Sequence, residues 1–224
     1  MNKVLFWDFD GTLVHANESY YLSLNQALLD AGYAVAEDEV RFFLKGSLSW
    51  GIWQFTYPDK TGLGWWETMY GRCMNFFSAL GIPGDQHVAI CRNFREKNTH
   101  FPYRVFDDAI PVLEEAIARG YRNYLISNNY PELPEVVERV GLRPYFQELF
   151  VSANVGYDKP QPEIFRRALA AAGNPDRAYM IGDNPVADIK GAAAMGLETV
   201  LVHREGEFEA DHICSSLSQI LEFI

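Results

Sequence analysis

Between residues 107 and 202 the sequence alternates helical periods with short apolar runs, and this alternation restricts the fold more than any other feature. Asp107 to Ala118 has helical spacing and precedes the strand-like run Tyr121 to Ile126. The pattern then repeats three times: helix Leu133 to Val140 with strand Leu149 to Ser152, helix Glu163 to Ala172 with strand Ala178 to Ile181, and helix Val186 to Met195 with strand Thr199 to Val202. Gly120, Gly141, Gly173 and Gly196 stand where the helices should stop. Apolar strands separated by helices bury both sheet faces when the strands run parallel and the helices cover them. The expected fold class is therefore α/β, a doubly wound parallel sheet whose functional turns share one edge. Leu217 to Phe223 should add a terminal helix.

The N-terminal run Val4-Leu5-Phe6-Trp7 reads as a further buried strand, but the chain changes character after it. Helical stretches are predicted at Ser19 to Ala31, with Ser19 as cap and Gly32 as stop, then at Asp38 to Leu44, Gly64 to Ala79 and Asp85 to Lys97. No convincing strand lies among them. Residues 15–101 thus read as a helical insertion, splitting a core built from residues 1–14 and 102–224. Four of the five tryptophans, Trp50, Trp53, Trp65 and Trp66, fall inside it. Filling the centre of a small helical module explains them better than an aromatic wall for a ligand.

The strand ends carry the chemistry. Asp8 and Asp10 follow the first strand, and Gly11 permits a tight turn after them. Two carboxylates this close repel one another unless a cation or a proton relieves them, so the pair asks for a metal ion. Ser127, Asn128 and Asn129 follow the strand at Tyr124 to Ile126; Asp158-Lys159-Pro160 places a cation before a helix; Gly182-Asp183 and Asp188 put two more carboxylates around a strand-to-helix turn. Singly, each has an ordinary explanation, such as a cap, a surface charge or an Asx turn. The order of acid pair, hydroxyl, lysine and acid pair, all at strand ends, does not.

With the segments Asp8-Phe9-Asp10-Gly11-Thr12, Ser127, Lys159 and Gly182-Asp183 with Asp188 in this order, the chain resembles the haloacid dehalogenase superfamily, in particular its phosphatase branch with a helical cap inserted after the first strand. The resemblance implies a Rossmann-like core and a Mg²⁺-dependent phosphatase acting on a small phosphorylated metabolite through an aspartyl phosphate. In that reading Asp8 is the nucleophile, Asp10 the acid and base, and Ser127 and Lys159 complete the catalytic set. Asp8, Asp10 (through its carbonyl) and Asp183 would hold the metal, with Asp188 among or just behind them. Gly11, Thr12, Ser127, Asn128 and Lys159 would contact phosphate, and Lys45 in the insertion, beside His15 and Asn17, would meet the leaving group. A phosphomutase of the same family and a non-enzymatic phosphoacceptor module are the alternative readings.

Composition narrows the partners. A net charge of −11 and a pI near 4.9 weigh against nucleic acid, whose phosphates select basic surfaces. No uninterrupted apolar span is long enough for a bilayer, so no membrane partner is expected. Three cysteines without metal-ligand spacing and a start broken by Lys3, Asp8 and Asp10 suggest a cytoplasmic protein with reduced, packed thiols. Oligomeric state is not encoded in any motif.

Overall fold

The computed structural model describes residues 1–47 and 57–224. Six parallel strands form one sheet, in the order β3-β2-β1-β4-β5-β6: β1 (Lys3–Trp7), β2 (Tyr121–Ser127), β3 (Phe146–Val151), β4 (Arg177–Gly182), β5 (Glu198–Val202) and β6 (His212–Cys214). From β1 the chain builds outward through β2 and β3, then crosses back to lay β4 on the other flank of β1. Ligands bind outside the carboxyl ends of strands where the order reverses in this way. Trp7 pairs with Leu125 on one side and Ile181 on the other, so the residues following β1, β2 and β4 emerge along one edge.

Alternation along β1 divides the core. Leu5 and Trp7 join a large apolar cluster, whereas Val4 and Phe6 join a second one with Ile164 and Phe165 of the helix Pro162–Ala171 on the opposite face. Between β1 and β2 lie helices α1 (Ser19–Asp30), α2 (Glu37–Ser47), α3 (Leu63–Ala79), α4 (Gly84–Thr99) and α5 (Ala109–Ala118). Leu24 and Leu28 of α1, Trp66 and Phe77 of α3 and Phe94 of α4 belong to the same cluster as Leu5 and Trp7. The apolar side of these helices is therefore continuous with the sheet.

Most elements stand where periodicity puts them, and the departures have local causes. Asn17, not Ser19, sits at the head of α1: its side-chain oxygen accepts the Ser19 amide at 2.9 Å. The helix expected to end at Leu44 runs on, so Lys45, Gly46 and Ser47 are the last residues of α2. β3 begins at Phe146, and Ser152 starts a single helical turn, Ser152–Val155. Pro185–Lys190 winds as a π-helical turn because the Asn184 side chain accepts both Val186 and Ala187 amides at 3.0 Å. The final segment, Leu217–Glu222, is a 3₁₀ helix. Strand β6 is too short and too polar to register as a period in the sequence.

Trp66 fills the interior, buried against Tyr70, Phe94 and Tyr130, and its indole N–H donates to Glu132 at 2.8 Å. Trp65 packs beside it. Trp50 and Trp53 lie outside the described residues. Cys73, Cys91 and Cys214 are buried free thiols. Among the described residues, no helix is long and apolar enough to cross a membrane.

Candidate active site

The ends of β1 and β4 converge on a knot of carboxylates. Asp8 follows β1, and its amide donates to the Ile181 carbonyl at 2.9 Å, which locks it against β4. Oxygens of Asp8, Asp183 and Asp188 lie within 4.8 Å of one another. Glycines make the approach possible. At Gly11, φ is +78°, and a Cβ there would stand 2.6 Å from Asp183 Oδ2; one at Gly182 would stand 2.2 Å from Asp188. The Gly11 amide is itself spent on Val14 at 2.8 Å.

Lys159 threads into this knot from the loop before the helix Pro162–Ala171. Its ammonium, 1% exposed, lies 2.7 Å from Asp8 Oδ1 and 2.6 Å from Asp188 Oδ1. Burial works against its charge, but Asp188 and Asp8 outweigh it and hold the amine above the usual lysine range. Asp188 gives its other oxygen to the Asn184 amide at 3.0 Å, so both of its oxygens are engaged.

Asn128 holds the lysine's backbone: its side-chain oxygen accepts the Lys159 amide at 2.6 Å and its Nδ2 donates to the Lys159 carbonyl at 2.8 Å. Of the residues expected to contact phosphate, Asn128 thus commits its side chain to positioning. Ser127 is buried at the end of β2. Thr12 is fully buried; its carbonyl accepts from His203 at 3.0 Å, and its hydroxyl has no partner among the described residues.

Asp10 stands apart from the ion pairs. Asn129 Nδ2 donates to its Oδ2 at 2.6 Å, while Asn129 Oδ1 accepts the Tyr130 amide. Burial, then the Asp8 and Asp183 charges, raise the Asp10 carboxyl to about 7. Burial and Asp8 raise Asp183 to about 6, against the pull of Arg204, whose guanidinium lies 3.6 Å away. Burial and the Asp8 charge also push Asp188 upward, with Lys159 pulling back. A cluster of acids that cannot all ionise alone fits a hard divalent cation: its donors are all oxygens, and the Gly11 turn keeps them close.

Over Asp10 a cavity of about 630 Å³ opens, lined on the sheet side by Asn128, Asn129 and Asn184 and on the helical side by Asn17, Tyr20, Arg41 and Lys45. Tyr103 also lines it, and burial keeps both the Tyr20 and Tyr103 phenols protonated. Arg41 is already paired with Glu18 at 2.7 Å and Glu37 at 2.6 Å. Lys45 has no ion-pair partner among the described residues. His15 packs against Phe106 with the rings tilted by 32°, 3.9 Å between centroids, and does not line the cavity.

A model described as haloacid dehalogenase-like hydrolase matches residues 2–196. The chain belongs to the haloacid dehalogenase-like hydrolases. Within them, the glyceraldehyde 3-phosphate phosphatase of Methanothermobacter thermautotrophicus is 29% identical over 219 residues, 95% of this chain and 91% of that one. The phosphoserine phosphatase of Thermus thermophilus is 39% identical over 113 residues, 50% of this chain but only 44% of its relative, so the two align over less than half of the latter. Among solved structures, a 2-haloacid dehalogenase from Pseudomonas syringae pv. Tomato DC3000 shares the fold with a TM-score of 0.75 at 22% identity, over 99% of this chain and 97% of that one. Such haloacid dehalogenase-like hydrolases thus share one architecture across different chemistries, and the site must decide between them.

The site residues that sequence order suggested, Asp8, Asp10, Ser127, Lys159, Asp183 and Asp188, all lie at the carboxyl edge of adjacent strands. Sequence reasoning placed Asn129 in the segment after β2 but gave it no role of its own. It missed His203 and Arg204, which follow β5, a strand whose end carried no expectation.

Proposed function

We propose that this hydrolase is a phosphatase that releases phosphate from a small phosphorylated metabolite, using Mg²⁺ and a transient aspartyl phosphate on Asp8. The observation that carries the reading is the division of labour between two neighbouring acids. Asp8 has the ammonium of Lys159 2.7 Å from its Oδ1, a cation placed beside the oxygen that a nucleophile must present. Asp10 is held by Asn129 with a carboxyl near 7, so it retains a proton to give to a departing alkoxide near neutral pH. Displacement of a halide needs no such proton. The relatives named phosphoserine phosphatase and glyceraldehyde 3-phosphate phosphatase support the same class.

Asp8, Asp183 and the Asp10 carbonyl would hold the cation, with Asp188 orienting Lys159 behind them. When bound, Mg²⁺ would neutralise the acid cluster and the phosphoryl oxygens. Asp8 attacks phosphorus in line while Asp10 protonates the leaving oxygen. The freed alcohol departs through the cavity, and Asp10, now a base, takes a proton from the water that cleaves the acyl phosphate. Ser127, the amide of Asn128 and Lys159 stabilise the transferring oxygens. Residues 15–101 serve as a cap that covers the strand ends and shapes the leaving-group space. A phosphate-release screen over a metabolite panel with Mg²⁺ tests the proposal. Activity should vanish, by about 10⁴-fold or more, in Asp8→Asn; activity surviving that change removes the nucleophile.

A further inference from the structure

The loop that delivers Lys159 is gripped from two sides. Asn128 holds its backbone from β2. The other grip comes from the segment between α2 and α3. Tyr57 donates its hydroxyl to Asp158 Oδ1 at 2.6 Å, and Asp158, adjacent to Lys159, is 1% exposed. The backbone reinforces the contact: the Tyr57 amide donates to the Gly156 carbonyl and the Gly62 amide to the Ala153 carbonyl, each at 2.9 Å. Gly156 has a φ of +86°, and a Cβ there would lie 2.6 Å from Pro58 Cα. The two segments therefore meet main chain to main chain, with no room for a side chain to part them.

A phenol donating to a buried carboxylate is among the stronger neutral-to-ion hydrogen bonds. Burial and the Asp158 charge both keep the Tyr57 phenol protonated, so the donor persists. We propose that Tyr57 is a positioning residue for Lys159, contributed by the helical segment: it fixes Asp158, and through it the backbone from which the ammonium reaches Asp8 and Asp188. The proposal rests on the phosphatase reading for its use of Lys159 and adds a dependence that reading does not contain. Turnover requires Tyr57 even for a leaving group too small to touch any helix between β1 and β2, because Tyr57 acts on the lysine and not on the substrate.

Tyr57→Phe tests this, since it keeps the ring and removes only the hydroxyl. With an aryl phosphate and Mg²⁺, kcat should fall about tenfold while KM stays within about twofold, and the melting temperature should hold. The affinity for orthovanadate, which takes up the five-coordinate geometry of the transition state, read by calorimetry without turnover, should fall with kcat. In combination with Asp158→Ala, Tyr57→Phe should add no further loss, because one interaction is being removed twice. Wild-type kcat in Tyr57→Phe, a loss confined to KM, or losses that multiply in the double variant would each overturn the assignment. Failure of the phosphatase reading would look different: no phosphate release from the unmodified protein. In that event, equal vanadate affinity in the unmodified protein and Tyr57→Phe overturns the positioning role by itself.

Discussion

The strand-end cluster and the helical side of the cavity are built on opposite plans. At the strand ends, charges are buried and engaged: Lys159 bridges Asp8 and Asp188, Asn128 clamps the lysine backbone, and Asn129 holds Asp10. On the cavity's helical side, Glu18 and Lys45 are exposed and Arg41 is satisfied by its own acidic neighbours. The contrast separates chemistry from recognition. A preorganised, desolvated cluster suits a reaction whose charge changes are the same for every phosphate ester. A wetter surface with replaceable charges suits the part of the substrate that varies.

Substitutions can break this contrast, beginning where the effect should be largest. Lys159→Met removes the buried ammonium that offsets Asp8, and kcat should drop by about 10²–10³ for every substrate tested. Equal losses across a substrate series would mark the strand-end cluster as indifferent to the leaving group; losses that vary widely would blur the two regions. Asn129→Ala should be milder, about tenfold in kcat. Its hydrogen bond favours the ionised form of Asp10, so removing it lets the carboxyl pKa rise. The alkaline limb of the rate profile should then move to higher pH, and a downward move would contradict the assignment of Asp10 as acid.

The cluster should also show itself without turnover. Asp10 and Asp183 have folded-state pKa values near 7 and 6, above the 3.8 of a free aspartate. Groups raised in this way give their full stabilisation below the unfolded pKa and lose it as pH climbs through the folded one. In chelator, the melting temperature should therefore fall between about pH 4 and pH 7. Mg²⁺ should restore it, and restore more at the alkaline end, as followed by circular dichroism. The smallest effect belongs to the cavity. Lys45→Ala should change KM by roughly twofold to fivefold for an anionic leaving group and leave an uncharged one unaffected.

How much of this was legible in the sequence follows the same division. Asp8, Ser127, Lys159 and Asp183 could be read because each follows an apolar run or opens a helix, and a parallel sheet must bring such ends together. The apolar stretches of β1, β2, β4 and β5 declared those strands, whereas Gln147 and Glu148 hid the first half of β3. What pairs across elements left no local trace. Nothing near Tyr57 indicates Asp158, and nothing near Trp66 or Arg95 indicates Glu132, which both of them reach. The role of Asn129 escaped because an amide beside another amide carries no period; only the fold turns one toward Lys159 and the other toward Asp10. The short β6 and the π-helical turn at Pro185 depend on neighbours that spacing does not reveal.

Whether Asp8 accepts phosphorus decides the mechanism, and chemical trapping answers it. The enzyme, mixed with an aryl phosphate and Mg²⁺ and quenched in acid within milliseconds, is reduced with borohydride, which converts an acyl phosphate into an alcohol, and mapped by peptide mass spectrometry. The reduced residue should be homoserine at position 8 and nowhere else. Phosphate released at full rate with no modification at Asp8, or modification at Asp10 or Asp183 instead, would contradict it.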